Sequence, residues 1–152
     1  MSTTTPKRQQ LIEALCTRLE AITISGGYRT DAGQHVYLNE EPPWSDSDPD
    51  LAVVVAVGED QPGFQRKKFA IQLPIEVHAL ARADLDAPYL MIETLLGDIK
   101  EAIELDDRTV GGLVDHQFDR GATRVLEREE GSESVGVAIG YVFPYFESWG
   151  AP

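Results

Sequence analysis

The chain has 152 residues, 42% of them hydrophobic, and its 13 lysines and arginines against 26 aspartates and glutamates leave a formal net charge of −13. That length fits one domain, residues 1–152, able to bury about two-thirds of the surface its unfolded chain exposes. That charge excludes a surface that gathers DNA or RNA, whose phosphates it repels. One cysteine, Cys16, allows no internal disulfide and reads as a small hydrophobe in a reducing compartment. The start Met1-Ser2-Thr3-Thr4-Thr5 leads into no apolar run, and no stretch is long enough to cross a bilayer, so a soluble protein made in the cytosol, with no membrane partner, is expected.

Taken in chain order, the first element is an amphipathic helix from Pro6 to about Ile22. Leu11, Ile12, Leu15, Leu19 and Ile22 recur at helical spacing, Thr5 is placed to cap, Pro6 suits the first turn, and Gly26-Gly27 ends the helix. A turn over Tyr28-Arg29-Thr30-Asp31-Ala32-Gly33 leads to a short strand at Val36-Tyr37, then to a Pro-rich loop at Glu41-Pro42-Pro43-Trp44. Leu51 to Val57 is a continuous apolar run of strand length, which predicts a central strand covered on both faces. From Phe69 to Leu80 apolar and polar residues alternate, the period of a strand with one wet face, and Pro74 predicts a bulge or an edge there.

Asp86-Ala87-Pro88 predicts the start of a second helix with Ile92, Leu95, Leu96, Ile99 and Ile103 on one stripe. Gly97 costs it about 1 kcal/mol relative to alanine. After Gly111-Gly112 the chain reads as a hairpin, with arms near Leu113 to Glu127 and Ser134 to Phe146 and a turn at Glu129-Glu130-Gly131-Ser132. In the second arm Val135, Val137, Ile139, Tyr141, Phe143 and Tyr145 line one face, while Gly136, Ala138 and Gly140 leave the other nearly bare. A helix packed closely on these small residues is the expected cover, with a neighbouring subunit as the alternative. The expected architecture is α+β (α/β-like): one mixed or antiparallel β-sheet flanked by two main α-helices.

Chemical motifs are few. Asp46, Asp48 and Asp50 alternate like the start of a calcium loop, but the EF-hand pattern would place glycine and glutamate where Leu51 and Val57 stand. His35, His78 and His116 are scattered, with no ligand spacing among them. No nucleophile elbow, phosphate loop or dinucleotide fingerprint occurs, and the pair Asp106-Asp107 sits in a turn instead of facing across a cleft. Neither catalytic residues, a cofactor nor a metal is expected.

The order of elements, from the arginine-leucine helix through Gly-Tyr-Arg-Thr-Asp-Ala-Gly (Gly27 to Gly33), the Pro-rich loop, the Val-rich strand, the strand from Phe69 and the second helix, resembles that of the tail terminator (tail completion) proteins of long-tailed bacteriophages. The resemblance implies a non-enzymatic virion protein that forms a homo-hexameric ring on the last ring of tail tube protein, stops tube growth and offers its other surface to the head-tail connector. DNA would pass through the ring without specific binding. A basic lining would hold the DNA by counterion release, so Glu129, Glu130 and Glu133 are expected to line an acidic lumen. Beyond Pro144 the alternation fails, and Tyr145, Phe146 and Trp149 are expected to serve an interface, with Trp149 folding back as a lid as the alternative. The competing reading is a small ligand-binding or enzymatic α+β domain, for which a deep pocket of titratable groups with perturbed pKa would be the sign.

Overall fold

A computed structural model describes residues 4–40, 42 and 50–152. Of the Pro-rich loop only Pro42 lies among them, and Asp46 and Asp48 of the acidic repeat lie outside them. The architecture is the α+β one expected: a single mixed sheet of six strands with two α-helices. The elements run α1 (Lys7–Glu20), a 3-10 turn (Ala32–Gln34), β1 (Val36–Leu38), β2 (Leu51–Val57), β3 (Gln61–Gln65), β4 (Lys68–Arg82), α2 (Pro88–Glu104), β5 (Asp119–Val125) and β6 (Ser134–Ser148). The sheet order is β1-β2-β4-β6-β5, with β3 pairing the first part of β4. Only β1 and β2 run parallel.

The spine of the sheet is the antiparallel ladder of β4 and β6, fifteen residues each in unbroken register from Lys68 opposite Ser148 to Arg82 opposite Ser134. Because side chains alternate across a strand, this register puts the odd-numbered residues of both strands on one face. There Ile71, Leu73, Ile75 and Val77 join Val137, Ile139, Tyr141 and Phe143 in a core with the buried stripes of both helices: Leu11, Leu15 and Leu19 of α1, and Ile92, Leu95, Leu96, Ile99 and Ile103 of α2. Phe118, at the entry to β5, fills the space between Tyr141 and Phe143, with ring centroids 5.7 and 5.1 Å away.

Local details differ from the sequence expectations for identifiable reasons. Pro6 is the residue before the first helical turn and no side chain caps it, so the backbone carbonyl of Pro6, which accepts from the Gln10 N–H, does the starting. The helix ends at Glu20 and Ala21, ahead of Gly26-Gly27, because Thr23 turns the chain first: its Oγ1 accepts from the Gly26 N–H and its carbonyl from the Tyr28 N–H. At α2, Ala87 occupies the left-handed region and Pro88 opens the helix, with no cap from Asp86. Pro74 is at neither a bulge nor an edge. It sits mid-strand where the partner of β4 changes, β2 ending opposite Ile75 and β3 beginning opposite Gln72, so its missing N–H falls in the gap. Its carbonyl accepts from Gly58.

Candidate interaction surface

Both helices lie on the aromatic face, so among the described residues the expected helix over Gly136, Ala138 and Gly140 is not there. The small residues serve another purpose. Arg124 of β5 pairs across from Ala138, and its guanidinium reaches over β6 to Glu76 of β4, donating from Nε to Oε2 (3.1 Å) and from Nη2 to Oε1 (2.9 Å). Such a fork spans two strand spacings, about 10 Å, only where the strand between carries almost no side chain. His78 Nε2 lies 3.2 Å from the same Glu76 oxygen. Further along, a Cβ on Gly136 would stand 2.5 Å from Leu80 Cδ2 and 2.8 Å from Leu126 Cδ1, so these leucines close over the glycine from both sides. The bare stripe is therefore bridged by its own flanking strands.

This helix-free face carries two hollows. One of about 350 Å³ is bordered by His78, Leu126, Arg128, Glu129 and Ser134, and one of about 440 Å³ by Ala56, Gly58, Pro74 and Glu76. A third, of about 350 Å³, opens beside α2 between Arg29, Asp31, His35, Asp50 and Met91. The groups with displaced pKa do not gather in them. Arg124's hydrogen bonds hold the Glu76 carboxyl below its usual value. Donation from Thr109 does the same for Asp107, in a turn where Gly111 also donates to it. Burial pushes the Tyr141 and Tyr145 protons up on β6, that of Tyr28 after α1 and that of Cys16 on α1. Of these only Glu76 borders one of the three hollows. Among the described residues no cluster of histidine, cysteine or acid side chains could hold a metal ion.

The segment that carries the family resemblance is a packing joint. Asp98 of α2 is fully buried, and its carboxylate accepts from the Arg29 N–H (3.1 Å), from Arg29 Nη1 (3.0 Å) and from Thr30 Oγ1 (2.8 Å). Asp31 in turn accepts from the Ile24 N–H (2.7 Å). Arg29 lies over Gly97, whose added Cβ would stand 3.7 Å from Nη1, so the glycine that weakens α2 also admits the guanidinium. Arg18 of α1 donates to the carbonyls of Ile103, Asp106 and Asp107, satisfying the end of α2. Sequence reasoning passed over Asp98. The available signal was an acid on the same arc as Leu95 and Ile99, where only a paired acid is tolerated.

The residues expected at interfaces separate into three environments. Tyr145 is buried in the core, and its hydroxyl donates to Glu147. Phe146 is half-buried, with Lys68 Nζ 4.0 Å from its ring centroid. Trp149 is 62% exposed yet stacks on Phe69 (5.0 Å) and meets Phe64 edge-on (6.0 Å), itself 69% exposed. Trp149 is thus both a partial lid and an open surface. Glu129, Glu130 and Glu133 are exposed on the β5–β6 turn, and His35, His78 and His116 do not meet. No family model matches the chain, and no curated protein matches it.

Proposed function

We propose that this chain is a structural assembly protein of the tail terminator type, a ring at the head-proximal end of a phage tail tube that ends polymerisation and joins tail to head connector. The observation that carries the reading is the one-sided layering: both helices cover one face of the sheet, and the other face, with the β1, β3 and β5 edges, carries no helix among the described residues. A sheet left open on one side invites a neighbour. The order of elements that resembles tail terminators supports the same reading, and the excess of acids suits a ring through which DNA slides. The working groups of such a protein are surfaces, and the Arg124–Glu76 ion pair and the Phe64–Trp149 ring contact are surface features.

The test is addition of the purified chain to growing tail tubes of the phage or prophage that encodes it, viewed by electron microscopy. A ring of density at one tube end and tubes of limited length are expected. Tubes that grow on unchanged and bare-ended would overturn the reading.

A further inference from the structure

We propose that copies of this chain join head to tail, the basic and aromatic tip of the β3–β4 hairpin of one copy seating against the acidic β5–β6 turn of the next. Three of the 13 cations stand in a row, Arg66-Lys67-Lys68, at that hairpin tip. Arg66 and Lys67 have no ion-pair partner among the described residues. Beside them Phe64, Phe69 and Trp149 form a three-ring cluster whose outer members are more than half exposed. An exposed aromatic cluster beside two cations without ion-pair partners fits a partner that offers carboxylates.

The chain supplies that partner at its other end. β4 and β6 run the length of the molecule, and fifteen extended residues separate their ends by about 50 Å. At the far end, Glu127, Glu129, Glu130 and Glu133 are exposed and unpaired among the described residues, while Arg128, the cation within the turn, donates to the Ser132 carbonyl. Two copies meeting by like ends would set like charges together, whereas head-to-tail contact neutralises both. Such a contact is heterologous, so it closes as a ring or continues as a filament. Closure into a ring rests on the function proposed above; the joint itself does not. Glu129, Glu130 and Glu133 then belong to the subunit joint and not to the lumen expected for them.

The experiment is sedimentation of the full chain at low and high salt, with Arg66→Glu/Lys67→Glu, Glu129→Lys/Glu130→Lys and an equimolar mixture of the two variants. The native chain should associate, less so at high salt. Each variant alone should associate at least about tenfold more weakly with its melting temperature kept, because it carries the same charge at both ends. Their mixture should restore association, each hairpin finding the opposite turn. A monomeric native chain at every salt concentration, an unaffected Glu129→Lys/Glu130→Lys variant, or a mixture that stays dissociated would each overturn the proposal. Tube binding is read separately: copies that join as described but ignore tubes would refute the proposed function and keep the joint.

Discussion

On one face of the β4–β6 ladder Tyr141 and Phe143 meet two helices, whereas on the other the Arg124–Glu76 pair crosses β6 beside Ala138, and Leu80 and Leu126 close over Gly136. Both faces use glycine to allow a close approach, and the two approaches differ in what comes close. On the helix side Gly33 stands where an added Cβ would be 2.6 Å from the Glu20 and Ile22 carbonyl oxygens and 2.7 Å from that of Leu19. Its own N–H donates to Ile22, which locks the distance. On the open side Gly136 faces the methyl ends of Leu80 and Leu126. Rigid backbone defines the first contact and adjustable side chains the second. The helix side should therefore tolerate change poorly, and the open side should give way.

Gly33→Ala tests the stiff half of that contrast. The 3-10 turn must back away from the end of α1 and take the Asp98 clamp with it, so a loss of about 2–3 kcal/mol is expected in urea unfolding. Gly136→Ala tests the soft half. The clashing atoms are the methyl ends of buried Leu80 and of half-buried Leu126, just past β5; both can rotate aside, and a loss of about 1 kcal/mol is expected. Equal losses at the two glycines would mean that the open face is as rigidly built as the covered one.

Periodicity made much of this fold readable. The stripes of α1 and α2 and the alternation of Val135 to Tyr145 are buried as their spacing implies, because burial on one face is what selects such spacing. The strand β3 was invisible, since Gln61-Pro62-Gly63-Phe64-Gln65 is exposed throughout and reads as a loop; pairing with β4 overrides its propensity. The Arg124–Glu76 bridge was equally hidden, joining two residues 48 apart in sequence through the register of three strands. Small residues at 136, 138 and 140 did signal a close neighbour, but nothing in the sequence separates a helix from an arginine as that neighbour. Trp149 was legible as an aromatic out of place, and its resting place against Phe64 was not, because β3 itself was missed.

The smallest expected effect lies in that bridge, and its pH dependence identifies it. Glu76 and Arg124 side chains are 38% and 57% exposed, so water screens their attraction, and Arg124→Ala should cost under about 1 kcal/mol at neutral pH. The Arg124 hydrogen bonds lower the Glu76 pKa in the folded state, so the folded chain binds the proton less readily than the unfolded one. The contribution of the bridge is thus complete above the ordinary carboxylate range, near pH 4.3 or so, and is lost as pH falls through the lowered folded value. Native and Arg124→Ala stabilities, followed by denaturant titration from neutral to acid pH, should converge at the acid end. A gap that persists with Glu76 protonated would assign the Arg124 contribution to packing of its aliphatic stem beside Ala138. The open face would then be held by packing, as the helix side is, and not by charge.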